Sequence, residues 1–112
     1  MRYDTEQHGD GLRLRLRDRF TFADYPAFRH LCTDIERGGA LRIEINVSEM
    51  EFLDSSAIGM LLILHDETAT RQGKLTIIHP RGQVRRALEI AAAKTLLNIV
   101  LGPESEEDHH GG

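Results

Sequence analysis

Asp54-Ser55-Ser56-Ala57-Ile58-Gly59 stands where one hydrophobic pattern in the chain gives way to another. Before it, residues 41–45 (Leu-Arg-Ile-Glu-Ile) alternate between apolar and polar side chains, as a β-strand does. After it, apolar residues recur at the spacing of an α-helix. Ser55 is therefore predicted to lie at or just inside a helix N-terminus, where unpaired backbone N–H groups and the helix dipole favour a phosphate.

A simpler interpretation of the same six residues is helix capping. Asp and Ser are preferred N-cap residues, so any helix that begins after a strand can start with such a pair. A capping box is absent, because neither Asp54 nor Ser55 is followed three positions later by Glu or Gln. Ser56 supplies a second hydroxyl that capping leaves unexplained. The six residues alone leave both interpretations open.

Length and composition indicate a single small module that is too short to be a two-domain enzyme. A chain of 112 residues is long enough for a modest core but short for two lobes with a cleft between them. Its 40% hydrophobic and 29% charged residues are ordinary for a globular protein, and no apolar run approaches the roughly 20 residues that span a bilayer. The N-terminus does not resemble a secretory signal, and the single cysteine, Cys32, excludes an internal disulfide. We therefore expect a cytoplasmic protein without membrane insertion.

The charge of the chain argues against direct binding to nucleic acid. The formal net charge is −4, whereas phosphate contacts need an excess of Lys and Arg. Every second residue from Arg13 to Arg19 is an arginine, and leucines lie between the first three of them, which is the pattern of a strand with one solvated face. Since no aromatic residue is interleaved with these arginines, a solvated sheet face is preferred over a nucleic-acid-binding stripe.

The rest of the chain alternates between strand and helix patterns. A turn at residues 9–11 joins the first two strands in a hairpin, and helices separate the later strands, which favours an α/β domain with a mixed sheet. We predict one domain over residues 1–102, with a sheet of four to five strands and helices mainly on one face, and a disordered acidic tail at 103–112. The predicted strands cover residues 3–7, 12–16, 41–45, 74–78 and 97–100. The first predicted helix is capped by either Thr21 or Asp24, and the later helices begin at about Ser55 and after Gly82.

The segment at residues 43–56, Ile-Glu-Ile-Asn-Val-Ser-Glu-Met-Glu-Phe-Leu-Asp-Ser-Ser, resembles the signature segment of STAS domains, in particular those of anti-sigma factor antagonists. In that family an apolar strand and a short loop lead to Asp-Ser-Ser or Asp-Ser-Thr at the start of a helix. Residues 73–77 and 84–90 also resemble the next strand and helix of the family. The chain departs from the family pattern at Ala57, where glycine is common, and at Asn46, where aspartate is common.

The resemblance implies a phosphorylation site and a partner-switching function. By residue-to-residue match, the phosphorylated serine is Ser55. The unmodified protein would bind an anti-sigma factor, often itself a serine protein kinase, and phosphorylation would release that partner until a PP2C-type phosphatase resets the cycle. The alternative is a non-switching STAS subunit of a transporter or larger signalling assembly, and the open sheet face is a candidate surface for a homodimer. The residues expected to contact the partner are Asp54, Ser55, Ser56, Ile58, Gly59 and Asn46.

The other reactive side chains form no recognisable catalytic or metal-binding motif. The six histidines lack the short spacings of metal ligands, and His65 and His79 lie far apart in the sequence. Cys32 belongs to an apolar helix stripe and is interpreted as a packing residue. The sequence around Ser55 is not a nucleophile elbow. We therefore expect no catalytic residue, no bound metal and no cofactor.

Overall fold

The computed structural model describes residues 1–101, in which strands and helices alternate along the chain. A 3₁₀ turn at Phe22–Asp24 precedes the first helix. The acidic tail predicted at residues 103–112 lies outside the described residues. In chain order the elements are β1 (Arg2–His8), β2 (Gly11–Phe20), α1 (Tyr25–Gly38), β3 (Arg42–Asn46), β4 (Met50–Leu53), α2 (Ser55–Thr70), β5 (Lys74–Ile78), α3 (Gly82–Lys94) and β6 (Ile99–Val100).

The strands form one six-stranded mixed sheet. Strands β1 and β2 make an antiparallel hairpin, and β2, β3, β5 and β6 follow one another as parallel neighbours. The ten-residue β2 is long enough to pair first with β3, through residues 11–15, and then with β4, through residues 18–20. This arrangement confirms the predicted α/β fold class with a mixed sheet.

Strand β4 is the part of the sheet that was not predicted, because its residues fall in the stretch interpreted as a loop. Its pairing with β2 shifts register: Asp18 lies opposite Met50, but Arg19 lies opposite Phe52, so that Glu51 is an extra residue. Such a bulge breaks the alternation of buried and exposed side chains that identifies a strand in a sequence. The sheet therefore has six strands, whereas four to five were predicted.

The hydrophobic core lies on the face of the sheet that the helices cover. Alternate residues of β3 and β5 are buried, and their neighbours point to the other face. Helix α1 contributes an apolar stripe that includes Phe28, whose ring lies 5.1 Å from that of Phe20 at the end of β2. From α2, the buried side chains are those of Ala57, Met60, Leu61, Leu64 and Thr68.

Among residues 1–101, no helix has both the length and the apolar character needed to cross a bilayer.

The opposite face of the sheet is polar, as the alternating arginines of β2 predict. Arg17 forms ion pairs with Asp4 at 2.7 Å and with Glu49 at 3.1 Å, and Arg13 pairs with Glu44 at 3.2 Å. Solvent-exposed pairs of this kind contribute no more than about 1 kcal/mol each. Their main consequence is that neighbouring carboxylates neutralise much of the positive charge of β2.

Candidate functional site

The candidate site is the junction between β4 and α2. Asp54 is the N-cap residue of α2: its backbone is extended, with φ −100° and ψ 179°, and its Oδ1 accepts a hydrogen bond from the Ala57 N–H at 2.8 Å. Its own N–H donates to the Phe20 carbonyl at 3.2 Å, which keeps the junction attached to β2. Ser55 is thus the first residue of α2, as the sequence predicts, and Asp54 acts as the cap.

The second carboxylate oxygen of Asp54 ties the junction to the 3₁₀ turn. Oδ2 accepts a hydrogen bond from the Phe22 N–H at 3.1 Å. The turn is itself held by a capping box, in which Thr21 Oγ1 accepts from the Ala23 N–H and Asp24 Oδ2 accepts from the Thr21 N–H. One carboxylate therefore connects the start of α2 with the segment that leads into α1.

Ser55 and Ser56 occupy the first two positions of α2, and both are exposed. The N–H groups of the first residues in a helix have no intrahelical carbonyl to bind, and the Asp54 side chain takes only that of Ala57. The first turn carries no acidic residue. A phosphate on Ser55 would therefore meet backbone donors and the positive end of the helix dipole.

Ile58 and Gly59 continue this surface along α2, and both are half-buried. Gly59 lies four residues after Ser55, so that the two share one face of the helix. A Cβ on Gly59 would meet nothing within 4 Å among the described residues. Glycine in a helix interior lowers stability by about 0.5–1 kcal/mol relative to alanine. Because the described residues leave room for a Cβ, the packing of the domain does not explain why this position is glycine.

Asn46 is the last residue of β3 and belongs to a different segment from the Ser55 turn. Its Oδ1 accepts a hydrogen bond from the Ser48 N–H at 2.8 Å. It lines a groove of about 530 Å³ on the polar face of the sheet, together with Arg15 and His79. No side-chain hydrogen bond within residues 1–101 joins Asn46 to the Ser55 turn. The predicted residues of the 54–59 segment thus follow one another along the start of α2, and the Asn46 side chain binds the backbone of its own loop.

Two residues that were not predicted contact the junction. Gln83, in the first turn of α3, forms two hydrogen bonds with the Leu53 backbone, at 3.0 and 3.1 Å. Phe22, whose N–H binds Asp54, is 71% exposed. These contacts join residues 30 and 32 positions apart in the chain, so no local sequence pattern could have indicated them.

The remaining reactive side chains lie away from the junction. Cys32 is buried in the core, as predicted for a packing residue. Burial, with a smaller contribution from the Glu67 carboxylate, raises the pKa of its thiol to about 11, which disfavours the reactive thiolate. His65 lines a groove of about 410 Å³ with Lys74 and Asn98, beside the later turns of α2. Among the described residues, no three His, Cys, Asp or Glu side chains are grouped as metal ligands.

Comparison with known proteins identifies relatives over nearly the whole chain. The family model of the STAS domain matches residues 2–105. A STAS-domain containing protein of Pseudomonas aeruginosa (strain UCBPP-PA14) is 28% identical over 91 residues, which cover 81% of this chain and 89% of the relative.

Solved structures with a similar fold include anti-sigma factor antagonists. One from Mycobacterium paratuberculosis has a TM-score of 0.79 at 13% identity, covering 93% of this chain and 88% of that chain. The antagonist SpoIIAA in its unphosphorylated form has a TM-score of 0.70 at 19% identity, covering 97% and 96%. Bacillus SpoIIAA in its phosphorylated form has a TM-score of 0.69 at 18% identity, covering 96% and 98%. At these identities, the likeness establishes a shared fold.

Proposed function

Because the chain belongs to the STAS domain family, we propose that it is an anti-sigma factor antagonist that acts by partner switching. In its unmodified form it binds an anti-sigma factor that is also a serine protein kinase, and this frees the sigma factor. Phosphorylation of Ser55 breaks the complex, and a PP2C-type phosphatase restores the binding form. The protein acts in the cytoplasm as a binding module, without direct contact to nucleic acid and without catalysis of its own.

The placement of Ser55 is the observation that carries this proposal. Ser55 is exposed at the first position of α2, where a kinase can reach the hydroxyl and where the helix terminus favours the added anion. Support from relatives comes from SpoIIAA, a protein of the same fold that has been solved with and without phosphate. Catalysis by Ser55 itself is a weaker interpretation, since the grooves beside His65 and Asn46 are lined by other residues.

A phosphate on Ser55 is expected to leave the domain folded. It adds about −1.5 to −2 charge at neutral pH, next to the N–H groups of Ser55 and Ser56 that lack an intrahelical partner. The Asp54 carboxylate is a second negative charge nearby, and repulsion opposes this gain. However, both Asp54 oxygens already accept backbone N–H groups, from Ala57 and Phe22, which holds that charge in place.

Release of the partner then follows from the interface rather than from unfolding. The contact surface that we propose consists of the exposed start of α2 and the exposed side chain of Phe22, whose N–H binds Asp54. It continues over Ile58 and Gly59, with Asn46 at its periphery. The open backbone at Gly59 lets another protein approach closely. An unpaired charge buried in such a contact costs about 3–5 kcal/mol, enough to dissociate a complex of moderate affinity.

Matched serine variants in the native cells test this function. We expect Ser55→Ala to carry no phosphate and to retain its partner in quantitative pull-downs, whereas Ser55→Asp loses the partner. Thr33→Ala, which removes an exposed hydroxyl from α1, is the control and should behave as the unchanged chain does. A collapsed thermal transition in Ser55→Asp would count against a local switch. Identical partners for all variants, with transporter or sensory components among them, would identify a non-switching STAS subunit instead.

A further inference from the structure

Gln83 holds the backbone of Leu53, the residue that precedes the Asp54 cap. Gln83 Nε2 donates to the Leu53 carbonyl oxygen at 3.0 Å, and Gln83 Oε1 accepts from the Leu53 N–H at 3.1 Å. A single side chain thus binds both backbone groups of one residue, as the backbone of a neighbouring strand would. Leu53 is 1% exposed, so water has little access to replace Gln83.

The arrangement of β4 explains why Leu53 needs such a partner. Strand β4 pairs with β2 and with no other strand among the described residues. The N–H of Asp54 points towards β2 and binds the Phe20 carbonyl. Successive residues of a strand direct their backbone groups to opposite edges, so the groups of Leu53 point to the free edge. Helix α3 packs against β4 at this edge and supplies Gln83 in place of a strand.

We propose that Gln83 is a positioning residue for the Ser55 site. Ser55 is two residues beyond Leu53, and the first turn of α2 starts from the backbone that Gln83 holds. The Asp54 bond to the Phe22 N–H fixes the same turn from the other side. Gln83 therefore determines the position of the Ser55 hydroxyl that a kinase or binding partner recognises. This inference rests on the proposed function, since it concerns recognition of that serine.

Amide hydrogen exchange on the full chain tests whether Gln83 holds the turn. In Gln83→Ala, we expect the Leu53, Asp54 and Ala57 amides to exchange on the order of ten- to a hundredfold faster than in the unchanged chain. The core amide of Ile77 is the internal reference. If the Ile77 amide exchanges faster by the same factor as the Leu53, Asp54 and Ala57 amides, Gln83 contributes only to global stability and the proposal is overturned.

Two control variants separate a local effect from a general one. Gln7→Ala removes an exposed glutamine from β1, the strand at the far edge of the β1–β2 hairpin, and should leave all these amides unchanged. Ile43→Val removes one buried methylene from the core and should speed exchange globally, without selecting the Leu53 to Ala57 segment. If Ile43→Val and Gln83→Ala give the same pattern of exchange, the positioning role is wrong.

The fraction of Ser55 that carries phosphate in native cells tests the consequence for recognition. At equal protein abundance, Gln83→Ala should lower this fraction by about tenfold or more, because small misplacements of a reacting group have large kinetic costs. Gln7→Ala and Ile43→Val should not. Full phosphorylation of Gln83→Ala would overturn the positioning role and leave the proposed function intact. If the unchanged chain carries no phosphate on Ser55, the proposed function fails, and positioning for its recognition falls with it, whatever the exchange data show.

Discussion

Alanine at Gly59 is expected to stabilise the domain and to weaken its complex at the same time. Gly59 lies inside α2, and a Cβ there would meet nothing within 4 Å among the described residues. Because glycine is less favourable than alanine in a helix interior, Gly59→Ala should raise the free energy of unfolding by about 0.5–1 kcal/mol. For a domain of this size, the thermal midpoint should rise by roughly 2–5 °C.

The expected effect on the complex has the opposite sign. If the partner packs on the open backbone of Gly59, an added methyl group overfills the contact at a cost of about 1–3 kcal/mol. Since 1.4 kcal/mol corresponds to about a tenfold change, Kd should rise by at least several-fold. Gly38 offers a matched control: it is the last residue of α1, and a Cβ there also meets nothing within 4 Å. Gly38→Ala should therefore leave Kd unchanged.

Both quantities can be measured on the same preparations of Gly59→Ala and Gly38→Ala. Thermal unfolding by circular dichroism gives the midpoint. Calorimetric titration gives Kd, with the partner identified in the Ser55→Ala pull-down as the ligand. Equal Kd values for the two alanine variants would refute the placement of the partner on this face of α2. A lower midpoint for Gly59→Ala would refute the inference that the site is sterically open.

Three further predictions concern the surroundings of the site and the core. Asp54→Ala should lower the free energy of unfolding in urea by about 1–3 kcal/mol, because the helix cap and the tie to Phe22 are both lost; Asp54→Asn should lose less, and equal losses would contradict these roles. Phe22→Ala should weaken partner binding by roughly tenfold without changing stability. Leu96 is 87% exposed but lies outside the proposed contact surface, so Leu96→Ala should leave binding unchanged. Equal affinities for the two variants would exclude Phe22 from the interface. Because the pKa of the Cys32 thiol is raised in the folded chain, the unfolded chain loses the thiol proton at a lower pH than the folded chain does. The free energy of unfolding should therefore fall between about pH 9 and 11, by at most about 1.4 kcal/mol per pH unit. The same fall in Cys32→Val would contradict this assignment.

The local patterns of the sequence predict most of the fold. The strand at residues 74–78 has the predicted bounds, and the start of α2 at Ser55 follows from the change of hydrophobic period at that point. Strand β4 escapes prediction because a bulge at Glu51 removes the alternation in a stretch of four residues. The alternative caps of the first helix are resolved by the 3₁₀ turn, which Thr21 caps, while Asp24 precedes α1 without a side-chain cap of its own.

The candidate site is predictable only in its local part. Asp54 and Ser55 are neighbours in sequence, so their roles as cap and first helical residue can be anticipated from residue preferences. The contacts of Gln83 and Phe22 with this turn depend instead on how α3 and the 3₁₀ turn pack against β4 and α2. The hydrogen bond from the Ser48 N–H to Asn46 Oδ1 is a local contact that fixes the Asn46 side chain at the end of β3.

Phosphate on Ser55 is the most direct test of the proposed function. Intact-mass spectrometry with peptide mapping, on protein recovered from its native cells before and after phosphatase treatment, measures it whichever partner the chain binds. We expect one phosphate that maps to Ser55, disappears with phosphatase and is absent from Ser55→Ala. Unmodified Ser55 across growth and stress conditions would contradict partner switching and leave Asp54 and Ser55 as the cap and first residue of a helix.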